Sequence, residues 1–191
     1  MHAKLKYLIL TLMVALLSAC VSAHQSRQAT SGHDSEVTGP HAPPDLATIA
    51  SLQNDLAALD GAADVAEAGQ VAQTAIQYSF YLAGQYELVR PAVLHNVLVR
   101  IGVKERGLCH HWATDLMDQL ELLDLRTYQL YWGVAYRGSE LREHNSVVIA
   151  AKGQRFEEGI VLDPWRNSGV LHWSPVKDDR YPWKERPRHE W

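Results

Sequence analysis

The sequence predicts an α+β fold in which N-terminal helices pack on a small antiparallel β-sheet. Apolar residues recur at helical spacing between residues 45 and 123. Residues 128–176 instead contain short aromatic and β-branched runs that are separated by turn residues. Helices followed by a series of strands are typical of α+β proteins, and a region of this length buries a core without disulfides.

The N-terminus has the pattern of an export signal. Lys4 and Lys6 precede an apolar run over residues 8–17, which is too short for a comfortable membrane span. The run leads into Leu17–Cys20, which resembles the lipobox of bacterial lipoproteins, where small residues precede a cysteine that is acylated. The sequence therefore predicts a signal peptide over residues 1–20 and lipidation at Cys20. An ordinary signal peptide cut elsewhere, or an uncleaved anchor, is the alternative.

This resemblance also implies a location. Acyl chains on Cys20, palmitate among them, would hold the protein stably at a membrane. Val21 follows the cysteine where an aspartate would signal retention, which favours the outer membrane, facing the periplasm. Residues 21–44 are rich in Ser, Gln, His, Gly and Pro and predict a flexible tether. Residues 45–191 are then expected to form a single domain.

Four helices are predicted at the start of this domain. They cover residues 45–60, 64–83, 92–100 and 108–123. Asp45 is expected to cap the first helix, and Pro91 suits the first turn of the third. Gly84 is expected to end the second helix. In the third helix, Val93 and Val97 are expected to face inward.

The strands follow in the second half of the domain. They are predicted at residues 128–136, 145–151, 160–162 and 170–176. The third strand is expected to end at Asp163–Trp165. The tail from Lys177 to Trp191 is charged and rich in Pro and Trp, and it is expected to wrap the surface.

The fourth helix carries the chain's second cysteine. Trp112, Leu116 and Leu120 form an apolar stripe at helical spacing, and Cys109 lies at the N-terminal end of that stripe. Backbone N–H groups at this end have no helical acceptor. If Cys20 carries lipid, Cys109 lacks an intramolecular disulfide partner. An unpaired cysteine in an exported protein indicates intermolecular pairing or a reactive thiol.

A base and an orienting acceptor for this thiol follow downstream. A thiol is nucleophilic as thiolate, which a helix N-terminus or a nearby imidazolium favours. His144 begins a predicted strand, and Asp163 lies at the end of the next one. If residues 153 and 154 form a two-residue turn, the register places His144 opposite Asp163, on one face of the sheet. A bulge or wider loop at residues 157–159 would change this pairing.

The order of these elements resembles the transglutaminase-like, papain-like superfamily of cysteine proteases and acyltransferases. The matching residues are Gly107–Cys109 with Trp112–Ala113, His144 with Val147–Ile149, and Leu162–Trp165. The resemblance covers residues 64–176 and looks closest to small bacterial members with an N-terminal helical extension. It implies acyl transfer through a thioester: Cys109 attacks a peptide or amide carbonyl, His144 protonates the leaving amine, and Asp163 holds the imidazole in its working tautomer.

The resemblance further implies an oxyanion hole and a substrate. The backbone N–H of Cys109 would supply one donor, and Asn96 and Trp112 are candidates for a side-chain donor. Trp165 is a candidate cleft residue. The substrate would be a peptide or protein, the peptidoglycan stem peptide included. No motif calls for a cofactor.

The sequence leaves two rival functions open. One is a non-catalytic envelope lipoprotein that keeps the fold for binding or assembly. The other is a metal-binding protein that uses His110 and His111 with His144 or His172. Adjacent histidines on a helix diverge by about 100°, and no metal-ligand spacing motif is present, so the metal reading is disfavoured. The net charge of −4 and the lack of a basic patch argue against nucleic acid as a partner.

Overall fold

A computed structural model describes residues 44–187. The described residues belong to one compact unit. The predicted signal peptide with Cys20 lies outside the described residues, as does all but the last residue of the predicted tether.

The described part of the chain contains the four predicted helices. They are α1 (Leu46–Ala57), α2 (Val65–Gln85), α3 (Ala92–Arg100) and α4 (Cys109–Glu121). Asp45 caps α1 by accepting the backbone N–H of Thr48 at 2.6 Å, as predicted. Gly84 does not end α2, because one glycine costs only about 1 kcal/mol in a long helix. Within residues 44–187, every helix is too short or too polar to cross a membrane.

Five strands form one antiparallel sheet. They are β1 (Tyr128–Ala135), β2 (His144–Ala151), β3 (Ile160–Asn167), β4 (Val170–Pro175) and β5 (Lys184–Arg186), in the order β4-β3-β2-β1-β5. The predicted α+β class is therefore confirmed. Strand β5 was not predicted: the tail does not merely wrap the surface but adds a strand to the free edge of β1.

The sheet has a hydrophobic cluster on each face. Helices α1, α2 and α4 pack on one face, with Leu56, Val71, Leu116, Leu120, Val147, Ile149 and Leu162 among the buried residues. A smaller cluster covers the other face and consists of Ala135, Val148, Phe156, Val161, Val176 and Trp183. Because both faces are covered, β2 is buried at every position, including its first residue, His144.

The inward face of α3 differs from the prediction. Val93 and Val97 are exposed, at 64% and 37% of their surface, whereas His95 is fully buried. The Nδ1 atom of His95 accepts the backbone N–H of Val89 at 3.1 Å, so its Nε2 is the nitrogen that donates to the carbonyl of Arg106 at 2.8 Å. His95 faces inward, where its hydrogen bond to Arg106 anchors the segment that leads into α4.

The register between β2 and β3 also differs from the prediction. Val147 pairs with Leu162, and Ile149 pairs with Ile160, which is a shift of two residues. The shift arises because a 3₁₀ turn at Phe156–Glu158 widens the connection. Side chains alternate with a period of two, so a two-residue shift leaves His144 and Asp163 on the same face of the sheet.

Strand β3 is also longer than predicted. It continues past Asp163–Trp165 as far as Asn167, through an irregularity in its pairing with β4.

Candidate functional site

The backbone that leads into α4 admits only glycine at one position. Gly107 has φ of +120°, and a Cβ placed there would overlap the ring of His95. The carbonyl of Gly107 accepts the indole N–H of Trp112 at 2.9 Å. These two contacts fix the path of the chain immediately before Cys109, so the thiol begins α4 in a defined position.

His111 completes the start of α4. Its Nδ1 accepts the backbone N–H groups of Gly107 and Leu108 at 3.1 and 3.3 Å. Burial, followed by the charges of His110 and Arg106, lowers the pKa of His111 to about 4, so the ring stays neutral and keeps accepting. A nitrogen used in this way is not free for a metal. Across residues 44–187, no cluster of three or more His, Cys, Asp and Glu side chains has the arrangement of a metal site.

His144 and Asp163 form a buried pair. Nε2 of His144 lies 2.7 Å from Oδ2 of Asp163, and the two side chains are only 3% and 0% exposed. Burial lowers the pKa of His144, but the hydrogen bond to Asp163, its negative charge and the proximity of Cys109 outweigh burial and raise that pKa to about 9. Nδ1 of His144 has no hydrogen-bond partner. It is therefore the nitrogen available to exchange a proton with the Cys109 thiol.

Asp163 is held as an anion. Its Oδ1 accepts the backbone N–H of Arg166 at 3.2 Å, and its Oδ2 accepts Nε of Arg166 at 2.9 Å in addition to His144. Burial raises the pKa of Asp163, but the interactions with His144 and Arg166 lower it further than burial raises it. The carboxylate thus stays ionised and fixes Nε2–H as the donor, which leaves Nδ1 for chemistry.

Aromatic rings surround His144. Its ring centroid lies 4.7 Å from that of Trp165, 4.8 Å from Tyr181 and 5.2 Å from Trp183. These rings exclude water from the His144–Asp163 pair. Tyr181 and Trp183 come from the tail, which the sequence predicted to wrap the surface. The buried position of Trp183 depends on the pairing of β5 with β1, which local patterning does not reveal.

Cys109 is a free thiol at a cavity of about 630 Å³. The cavity is lined by Asn96, Cys109, His144, Asn145, Trp165 and the loop before β2, among others. The thiol donates to the carbonyl of Glu143 at 3.7 Å and accepts from Nδ2 of Asn145 at 3.9 Å. The nucleophile candidate, the base candidate and two amides therefore share one cavity.

Two asparagines at this cavity are each oriented by a tryptophan. The indole N–H of Trp165 donates to Oδ1 of Asn96 at 3.0 Å, and that of Trp132 donates to Oδ1 of Asn145 at 2.8 Å. An indole can only donate, so each amide presents its NH₂ group away from the indole. Asn145 was missed in the sequence. One feature of the sequence could have indicated it: Asn145 is polar although it lies on the helix-facing side of β2, where Val147 and Ile149 are apolar.

Trp112 does not fit its predicted role as an oxyanion donor. Its side chain is 1% exposed and packs edge-on against Tyr86, with ring centroids 4.8 Å apart. Its only side-chain N–H is already bonded to the carbonyl of Gly107. Trp112 therefore stabilises the start of α4 from within the core. Trp165, in contrast, does line the cavity, as expected for a cleft residue.

Comparison of the chain with protein-family models, with curated proteins and with solved structures finds no match. The chemistry of the site therefore follows from its own geometry. A free thiol at a helix N-terminus, an imidazole with one free nitrogen and a buried carboxylate on the other nitrogen are the parts that nucleophilic acyl transfer needs.

We expect the unfolding free energy to report the protonation of His144. Because folding raises the pKa of His144 from about 6.5 to about 9, the resulting stabilisation is fully present below pH 6.5 and is lost as the pH rises through 9. His144→Gln keeps a neutral amide in that place. The stability difference between the wild type and this variant, from urea unfolding at pH 6 to 10, should therefore shrink as the pH rises.

His110→Gln is the matched control. Burial and the charge of Arg106 lower the pKa of His110, so this variant should produce no such slope above pH 6.5. A stability difference for His144→Gln that stays constant across the range would contradict a protonated His144.

Proposed function

We propose that this chain is a cysteine hydrolase or acyltransferase that acts on peptide or amide bonds through a thioester at Cys109. The observation that carries the proposal is the buried His144–Asp163 pair, in which Nδ1 of His144 has no hydrogen-bond partner. His144 also lines the same cavity as the unpaired thiol of Cys109. A structural histidine would be expected to use both ring nitrogens once it is buried, as His95 does.

The reaction runs in two halves. Cys109 gives its proton to Nδ1 of His144, and the thiolate attacks the carbonyl carbon of the substrate. The imidazolium then protonates the leaving amine as the carbon–nitrogen bond breaks, which leaves a thioester on Cys109. Water or a second amine attacks the thioester after losing a proton to His144, and that proton returns to the sulfur when the acyl group leaves. Asp163 keeps Nε2 protonated throughout.

In this proposal, three donors stabilise the oxyanion. The backbone N–H of Cys109 lies in the first turn of α4 and has no helical acceptor. Nδ2 of Asn145 lies 3.9 Å from the sulfur, close to where the oxygen of a tetrahedral intermediate would form. Asn96 lies upstream of the nucleophile and faces the same cavity. In an acyl-transfer site, such donors are worth more than the same groups in water, because they need no reorganisation.

The architecture supports a transglutaminase-like, papain-like core. The cysteine begins a helix that packs on an antiparallel sheet, the histidine begins a central strand, and the aspartate lies on the adjacent strand. This is the order expected for that superfamily.

The N-terminal sequence pattern supports a location of this activity at the cell envelope. Lipids on Cys20 would anchor the chain in the outer membrane, facing the periplasm, where peptides, envelope proteins and the peptidoglycan stem peptide are the available substrates. No cofactor is needed for the proposed steps. The alternative is a non-catalytic envelope protein that uses the cavity for binding or assembly, and acylation of Cys109 separates the two.

A reporter ester tests the central step. With p-nitrophenyl acetate, we expect a burst of p-nitrophenol from the wild type and an acetyl group on Cys109 by mass spectrometry. Cys109→Ser should slow the burst on the order of a thousandfold or more, because the hydroxyl is a far weaker nucleophile beside the same imidazole. A wild type that gives no burst, or that carries acetyl only elsewhere, would favour the binding alternative. Added primary amine reports whether transfer competes with hydrolysis.

The oxyanion donors are tested by truncation. Asn145→Ala should lower the acylation rate constant on the order of a hundredfold, since one oxyanion donor is worth about that much. Asn54→Ala, on the exposed surface of α1, is the matched control and should leave the rate unchanged. Asn145→Ala removes the side-chain oxygen that accepts the indole N–H of Trp132. The double variant Trp132→Phe/Asn145→Ala removes that N–H as well, and it should show the same loss of rate. Wild-type rates in both Asn145 variants would contradict the assignment.

A further inference from the structure

A row of buried charges continues from His144 into the protein. Oδ2 of Asp163 is shared between Nε2 of His144 at 2.7 Å and Nε of Arg166 at 2.9 Å. The other end of the Arg166 guanidinium lies 2.9 Å from Oδ2 of Asp179. Positive and negative charges therefore alternate along the row, from the imidazolium of His144 to the carboxylate of Asp179.

Arg166 is enclosed by its partners. Its side chain is 8% exposed, and its guanidinium lies 4.8 Å from the ring centroid of Tyr181, the same ring that packs against His144. A buried guanidinium needs compensating charge, which Asp163 and Asp179 supply from two sides. Arg166 is thus fixed against both the carboxylate and the aromatic wall of the site.

Asp179 ends the row, and its carboxylate oxygens accept several hydrogen bonds. Its side chain is 1% exposed and accepts the hydroxyl of Ser174 at 2.9 Å and the backbone N–H of Tyr181 at 2.8 Å. Nε2 of His172 lies 3.3 Å away. Burial raises the pKa of Asp179, but these hydrogen bonds and the charge of Arg166 lower it overall. Asp179 therefore remains a fixed negative charge behind Arg166.

We propose that Arg166 and Asp179 are positioning residues that together set the pH at which His144 loses its proton. Arg166 partly neutralises the negative charge of Asp163, so Asp163 stabilises the imidazolium of His144 less strongly. Asp179 partly neutralises the positive charge of Arg166, which restores the stabilisation of the imidazolium by Asp163. The pair would thereby set the upper pH limit of the reaction under "Proposed function", on which this consequence for activity rests.

Other groups also face His144. Cys109 interacts with the ring from α4, Asp163 bonds to it from β3, and Tyr181 packs on it from the segment before β5. The chain neighbour Glu143 accepts the backbone N–H of Gly138 at 2.7 Å. Substitution at Arg166 or Asp179 changes contacts of Asp163 and Tyr181 but removes none of these groups, so a shift in the titration of His144 reports how Asp163 acts on it.

Two variants should move the titration of His144 in opposite directions. Asp179→Asn leaves Arg166 with more charge to place on Asp163, so His144 should deprotonate at a pH lower by about one unit. Arg166→Gln alone would strand Asp179 as an unpaired buried charge, so it is combined with Asp179→Asn. In Arg166→Gln/Asp179→Asn, Asp163 acts on His144 alone, and the midpoint should rise by about one unit.

The first readout is NMR titration of histidine-labelled full chain, with the His144 signal assigned from His144→Gln. The second is the alkaline limb of Cys109 acylation, where a one-unit shift changes the rate about tenfold at fixed pH. A purely structural role predicts lower unfolding free energies in both variants with an unmoved midpoint. An unmoved midpoint, or shifts of the same sign, would overturn the inference.

The two readouts also separate this inference from the proposed function. Opposite NMR shifts in a protein that never acylates Cys109 would support the electrostatic role of Arg166 and Asp179 and reject the thioester chemistry. Normal acylation with unmoved NMR midpoints would support the chemistry and reject the role of Arg166 and Asp179.

Discussion

The position and charge of His144 depend on one buried carboxylate, that of Asp163. Asp163 has no exposed surface, and an isolated ionised carboxylate is too costly to bury, so the fold must bring it cations and donors. His144 and Arg166 supply them, and they come from two strands that the sheet holds side by side. The tail contributes Tyr181 and Asp179, which close the site behind the carboxylate. The free nitrogen of His144 is a consequence of this constraint, since Asp163 engages only the other nitrogen.

The thiol is placed by a second and independent set of contacts. His95, fully buried on α3, bonds to the backbone before α4 and leaves no room for a side chain at Gly107. Trp112 and His111 bond to the same short segment. The start of α4 is therefore fixed by hydrogen bonds, and the rest of the helix is fixed by its apolar face on the sheet. A nucleophile needs this rigidity, because its reacting atom must be held within a fraction of an ångström of its partners.

Periodicity was sufficient to predict most of the fold, because the helices and strands bury faces that follow their own repeats. The sequence also pointed to Cys109 and His144, which line one cavity, and to Asp163, which is buried and bonded to His144. Their catalytic roles remain proposed. Long-range packing decided the rest. The predicted register of β2 against β3 was wrong by two residues. His144 and Asp163 nevertheless lie on the same face of the sheet, as predicted, because side chains alternate with a period of two. The inward His95 and the buried role of Trp112 depend on specific hydrogen bonds, and β5 depends on a distant partner strand; none of these leaves a periodic signal.

The most direct test of the central claim is the alkylation of Cys109 by iodoacetamide at pH 6. The control is the same chain unfolded in urea at the same pH, where an ordinary thiol, with a pKa of about 8.5, is almost entirely protonated and slow to react. A thiol that has given its proton to His144 should be alkylated on the order of tenfold or more faster in the folded protein than in the unfolded one. Alkylation that is no faster in the folded protein would contradict the thiolate–imidazolium pair, and with it the proposed chemistry.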